Sequence, residues 1–152
     1  MRLPYVVQTE MRRILVVANE TVEGEELRRV VVERASREET EVMVVCPALV
    51  GRIRHWLSDV DRAREQATDR LIVSLAALTA DGVRASGQIG DSDPVQAIED
   101  ALRTFPADEL VISTHPPGRS NWLEKNVVEA SEVFGLPVTH VVVDLSRRQA
   151  AV

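Results

Sequence analysis

The residues of this sequence best suited to chemistry lie in a few short stretches. Ser113-Thr114-His115-Pro116-Pro117-Gly118-Arg119-Ser120-Asn121 joins hydroxyls, a glycine, an arginine and a helix start. Gly118 lets backbone approach a ligand, Arg119 supplies charge, and amides near Ser120 and Asn121 would be free to meet an anion. Ala18-Asn19-Glu20-Thr21 carries an amide, Asn19, that both donates and accepts and could read a base or ribose. Asn19 or Thr21 equally suits the cap of a following helix. Gly90-Asp91-Ser92-Asp93-Pro94 offers Gly90 for a tight turn and Asp93 as a helix cap ahead of Pro94. Gly90 and Asp91 could line a pocket, although two acids there would repel a phosphate. Pro47–Leu57 sets apolar residues at helical spacing around Arg52 and Arg54, as a flap, a dimer surface or a segment tucked on the core.

No enzyme constellation accompanies these stretches. His55, His115 and His140 show no metal-ligand spacing, so no metal is expected. There is no GxSxG elbow and no GxxxxGK[ST] loop. His115 reads as a loop residue rather than a general base. Cys46, the one cysteine, ends an apolar run and reads as a small core residue. Binding is expected over catalysis.

The elements that must position these stretches alternate in type. Ile14–Ala18, Val42–Cys46 and Leu110–Ile112 are uninterrupted apolar runs, as in strands covered on both faces. Val138–Val143 is a last strand. Val83–Ile89 alternates apolar with polar residues, which places it at a sheet edge. Between them run helical patterns: Val22–Ser36 with Leu27, Val30, Val31 and Ala35 on one stripe and a Glu25–Arg29 pair; and a helix from Ser58, with Asp61 as a capping partner, to Gly82. A third, capped by Asp93, buries Val95, Ile98, Leu102 and Phe105, and a fourth runs from near Ser120 to Phe134, stopped by Gly135 and Pro137. The β-α-β-α-β-α-β-α-β order predicts one α/β domain: a three-layer, open, parallel five-stranded sheet with helices on both faces. Ligands bind such sheets beyond the carboxyl ends of the strands, where the strand order reverses.

Composition narrows the partners. The 152 residues carry 18 Lys and Arg against 24 Asp and Glu, a net charge of -6. Most arginines sit beside acids, so no basic stripe suits nucleic acid. No apolar run approaches a membrane span. The opening Met1–Val7 lacks a long apolar core and a small-residue cleavage site, which with the lone cysteine favours the cytoplasm. The core must be aliphatic, because aromatics are 3% of residues. The last strand has apolar side chains for both faces, and an exposed edge of that kind invites pairing. A homodimer through Val138–Val143 is expected, the alternative being a helix or the C-terminal tail laid over this edge.

Taken in order, these segments resemble the universal stress protein family. Arg13–Thr21 is similar to its opening strand and turn, and Gly90–Ile98 to its Gly-Asp-Pro region and following helix. Glu109–His115 with Gly118-Arg119-Ser120 looks like its fourth strand and phosphate loop, and Leu136–Val143 like its last strand. The resemblance covers residues 12–144, with 1–11 as an N-terminal extension and 145–152 as a tail. It implies the adenine nucleotide alpha hydrolase-like fold with strand order 3-2-1-4-5, dimerisation through the last strand, and binding of ATP or AMP. The ligand residues would be Ala18, Asn19, Gly90, Ser113, Thr114, Gly118, Arg119, Ser120 and Asn121. Members that bind ATP carry an acid where this chain has Asn19, and a loop G-x2-G-x9-G-[ST] of which only Gly118 stands here, beside a Pro116-Pro117 insertion. These departures count against a grip on three phosphates and leave AMP or another small anion compatible. The alternatives are a dimeric protection or scaffold module without nucleotide, and an α/β hydrolase using His115 and Arg119.

Overall fold

In a computed structural model, which describes residues 11–18, 25–47, 57–91, 93–114, 129 and 132–142, each apolar run is a strand. The strands are β1 (Arg12–Ala18), β2 (Thr40–Pro47), β3 (Arg84–Gly90), β4 (Glu109–Thr114) and β5 (Val138–Val142), interleaved with helices α1 (Glu25–Arg37), α2 (Leu57–Ala80) and α3 (Pro94–Thr104). They form one sheet in the order β3-β2-β1-β4-β5. Every pairing is parallel. The expected α/β fold and strand order are observed.

The sheet separates two cores. On one face, Ile14, Val16 and Ala18 of β1 and Val42, Val44 and Cys46 of β2 meet Leu27 and Val31 of α1 and Ala67, Leu71 and Leu78 of α2. On the other, Leu15, Val17, Val45, Leu110 and Ile112 meet Ala97, Ile98, Ala101 and Phe105 on α3 and just beyond it. Odd and even positions of β1 thus enter different cores, which is why its run has no polar gap. Helices α1 and α2 share a face because both crossovers step the same way along the sheet. The step from β3 to β4 goes back the other way, so the right-handed crossover carries α3 to the opposite face.

The edge position expected for β3 is observed, with Arg84 and Ser86 exposed and the rest of the strand half-buried. Its open side costs little because polar side chains alternate along it. Helix α2 ends as expected at Gly82, whose φ of 82° lies in the left-handed region. Val83 N–H donates to the Leu78 carbonyl at 2.9 Å and closes the helix. Residues 22–24 at the start of the first helical pattern, the Glu25 and Ser58 side chains, and residues 120–128 of the fourth helix lie outside the described residues. Glu129 and Glu132 are helical, and Phe134 packs against the α3-side core.

The buried face of α3 keeps Ile98 and Phe105 of the expected set, with Leu102 half-buried against the same core, and adds small residues to it. Pro94, Ala97 and Ala101 are buried as well, while Val95 is only half-buried. The helix thus presses Ala97 and Ala101 onto the sheet beside Ile98. Alanine removes the side-chain bulk that would hold the backbones apart.

A buried acid closes the amino end of the sheet. Glu109, the first residue of β4, is 1% exposed. It accepts from Arg12 Nε of β1 at 3.1 Å and from Arg34 Nη1 of α1. Arg34 Nη2 reaches Thr139 Oγ1 of β5 at 3.3 Å. One carboxylate therefore ties β1, β4 and α1 together and, through Arg34, β5. Replacing Glu109 by Gln keeps the shape and removes the charge, taking from Arg34 its acid and leaving Arg12 with Glu38 at 3.7 Å. A loss of about 2 kcal/mol is expected, seen as a lower urea midpoint at unchanged slope. A midpoint equal to that of the native chain would deny the cluster any part in stability.

Candidate functional site

Because all five strands run the same way, Ala18, Pro47, Gly90, Thr114 and Val142 end them along a single rim. The order reverses between β1 and β4, and there Ala18 stands directly beside Ser113. Ser113 in turn pairs with Val141, and Thr114 with Val142. Gly90 pairs with Pro47 on β2 and so lies two strands from β1, roughly 10 Å across the sheet. Of the expected ligand residues, the structure brings Ala18, Ser113 and Thr114 together at the reversal and sets Gly90 further along the same rim. Asn19, Gly118, Arg119, Ser120 and Asn121, with His115 and most of Pro47–Leu57, lie outside the described residues.

The described residues make the floor of this rim rather than its grip. Ala18 is fully buried and Ser113 is 2% exposed. Ser113 shares its sheet face with Val111 and Val141, so its hydroxyl turns toward the α1–α2 layer. At this point of reversal the described side chains are turned into the protein, and the segments that follow β1 and β4 lie outside the described residues.

Gly90 has a different reason from the one its sequence context suggests. Its φ is not among the positive values of the described residues, which belong to Gly82 and Gly135. A Cβ on Gly90 would fall 2.7 Å from Ala97 Cβ and 2.8 Å from Val45 Cγ1. Glycine is there so that α3 can approach the sheet, not to turn the chain. The turn is made by the acids that follow. Asp91 Oδ1 accepts from Asp93 N–H at 2.9 Å, and Asp93 Oδ1 accepts from Val95 N–H at 3.0 Å, the helix cap that the sequence predicts.

The sequence reading missed Arg70. It stands on α2, and its Nη2 donates to the Pro47 carbonyl at the end of β2 at 3.1 Å. It also lies against Cys46. Burial pushes the Cys46 thiol up to about 11, the nearby Arg70 charge pulling the other way without prevailing. Cys46 is 0% exposed and neutral, the core residue expected. Arg70 follows a helical run of mixed charges, Asp61-Arg62 to Asp69, and no local spacing marks it out. Among the described residues no group of His, Cys, Asp and Glu is placed to hold a metal ion. No helix among them is long and apolar enough to cross a membrane.

Solved structures show the same architecture. The universal stress protein of Archaeoglobus fulgidus in complex with dAMP superposes with a TM-score of 0.58 at 16% identity, over 89% of this chain and 98% of its own. The fold is that of universal stress proteins. A universal stress protein family protein of Arabidopsis thaliana with AMP bound gives 0.54 at 15% identity, over 90% of this chain and 94% of that one. A universal stress protein in complex with cAMP gives 0.54 at 16%, over 87% and 96%. No protein-family model matches the chain, and no curated protein does. The likeness lies in the fold, whose strand order in this chain puts the reversal point between β1 and β4.

The Gly90 contacts generate a stability prediction. Alanine at position 90 would force its Cβ into Ala97 on a rigid helix and Val45 on a central strand. Overpacking of this kind costs about 1–3 kcal/mol. Chemical denaturation of Gly90→Ala should show a loss in that range, and an unchanged or raised midpoint would mean that α3 shifts freely.

Proposed function

We propose that this chain is a divergent universal-stress-type regulatory domain. In this reading it binds an adenine nucleotide at the carboxyl ends of β1 and β4 and works as a cytoplasmic homodimer joined through β5. The observation that carries the reading is the strand reversal, which sets Ala18 beside Ser113 at the rim where open α/β sheets take their ligands. The structural neighbours in complex with dAMP, AMP and cAMP support the choice of ligand class. Asn19 would meet the base or ribose. Thr114, Gly118, Arg119, Ser120 and Asn121 would take the phosphate through backbone N–H groups and the Arg119 charge. The single glycine of the loop favours a monophosphate over ATP. The sequence has neither a GxSxG elbow nor a GxxxxGK[ST] loop, and in this reading the role is binding and signalling rather than turnover.

Thermal melting with millimolar AMP, cAMP and ATP tests the ligand. A nucleotide at about one hundred times its Kd adds about 2.7 kcal/mol. At about 3 °C per kcal/mol for a domain of this size, the midpoint should rise by about 8 °C, more for AMP than for ATP. A flat response to all three would end the nucleotide reading and leave the ligand-free scaffold in its place.

The dimer rests on β5. Among the described residues this strand pairs only with β4. Val138 packs toward the α3-side core and Val141 toward the other. Its outer row of N–H and C=O groups would be met by the same strand of a second copy, in the two-fold manner usual for homodimers. Sedimentation at micromolar concentration should give twice the 16.9 kDa chain mass. A single species of one chain's mass removes the proposal.

A further inference from the structure

Arg70 is charged and half-buried, and no carboxylate among the described residues answers it. None of the ion pairs among the described residues includes it. Its Nη2 meets a neutral carbonyl, that of Pro47. Its Nε is buried with no hydrogen-bond partner. The thiol beside it, Cys46, is neutral and cannot serve as counter-ion. Every other arginine whose pairing the structure gives, Arg12, Arg28, Arg34, Arg37 and Arg103, meets an acid. A desolvated charge is costly unless it is paired, so this guanidinium is where a counter-ion from outside the described residues would be most stabilised.

Its place in the fold says what that counter-ion would be. The Pro47 carbonyl ends β2, the strand next to β1, so Arg70 stands on the rim close to the reversal point. It comes from α2 and hence from the face that carries Ala18, Cys46 and Ser113. The acids of the rim, Asp91 and Asp93, open α3 on the opposite face and are engaged with backbone N–H groups. The α1–α2 side of the rim therefore has a fixed positive charge with no described acid paired to it, while the α3 side has two acids. Before Arg70, Leu57–Asp69 would extend about 20 Å along the helix. The described side chains at Asp61, Arg62, Arg64, Glu65 and Gln66 are all exposed, while Ala67 is buried in the core, so Arg70 lies where α2 meets the sheet.

We infer that Arg70 is an anion-binding residue of the rim, which takes a phosphate group of the ligand on the α2 side of the sheet. This rests on the nucleotide reading for the identity of the ligand, but the anion subsite itself does not. A guanidinium offers a forked pair of N–H donors to phosphate oxygens, and the carbonyl bond to Pro47 fixes the fork at the rim.

Calorimetric titration of the native chain and of Arg70→Gln and Arg70→Lys with AMP, adenosine and inorganic phosphate tests this. Circular dichroism would confirm that the variants are folded. The native chain should bind AMP more tightly than adenosine. Arg70→Gln should weaken AMP by about tenfold or more, the loss of a charged hydrogen bond, and leave adenosine unchanged, with Arg70→Lys between the two. If AMP binds the native chain and folded Arg70→Gln alike, or if AMP and adenosine weaken equally, the inference is overturned and the nucleotide reading survives. If no adenine compound binds but inorganic phosphate does in an Arg70-dependent way, the subsite stands and the nucleotide reading falls. Binding of neither probe overturns both.

Discussion

A parallel sheet cannot pair its neighbouring strands through a tight turn. Each step from one strand to the next needs a crossover over one face, and the crossover is right-handed. In this chain that constraint decides almost everything else. The first two crossovers step outward from β1 to β2 to β3 and lay α1 and α2 on one face. The next must return past β1 to reach β4, which sends α3 to the other face. The central strand β1 is then covered on both faces, and its residues from Ile14 to Ala18 are apolar at every position. The same constraint brings five strand ends to one rim and sets the reversal of strand order between β1 and β4.

The rim is shaped by how closely the layers approach. Gly90 and Ala97 form one contact where neither side tolerates another methyl group. On the opposite face, a Cβ on Gly87 would collide with the Leu71 side chain of α2. The outer strand β3 is thus thinned by glycine where helices lie on it, while β1 and β2 carry valine and isoleucine. Close packing is sensitive to single methylenes. The height of each helix over the sheet, and with it the position of Arg70 relative to Pro47, is therefore set by these small residues.

Local pattern revealed the architecture because burial on two faces writes itself into consecutive residues. Ile14–Ala18 could be read as a central strand, and the alternation from Val83 to Ile89 as an edge, with no knowledge of their neighbours. The cap at Asp93 and the stop at Gly82 are likewise local events. The face of α3 was read correctly at Ile98 and Phe105, but its alanines were missed because alanine carries little weight in a hydrophobic pattern, and only the sheet opposite shows that Ala97 and Ala101 share the contact. Polar pairs were invisible for a different reason. Glu109 meets Arg12 across 97 residues and Arg34 across 75, and Arg28 grips Asp81 with both nitrogens across 53. No spacing rule predicts such partners. Arg70 and Pro47, 23 residues apart, belong to the same class. At the site itself, the type and order of Ala18, Gly90 and Ser113 placed them on the rim, but not the inward turn of the Ser113 hydroxyl or the packing role of Gly90.

The two ends of the sheet treat charge in opposite ways. At the amino end, Glu109 is enclosed and answered by two arginines, with Thr139 taking a further donor of one of them. Arg28 and Asp81 form a second, exposed clasp between α1 and the end of α2, and the hydrogen bond from Arg28 holds the Asp81 carboxyl below its usual range. Since its folded pKa is depressed, that clasp contributes above the ordinary carboxylate range and fades as pH falls through the folded value. These charges are satisfied within the chain and serve to hold it together. At the carboxyl end, the half-buried Arg70 guanidinium meets the Pro47 carbonyl and lies against a neutral thiol. Among the described residues the acid that closes the sheet is answered at its amino end, whereas no described acid pairs with Arg70 at the other, and it is at the carboxyl ends of open α/β sheets that ligands are generally bound.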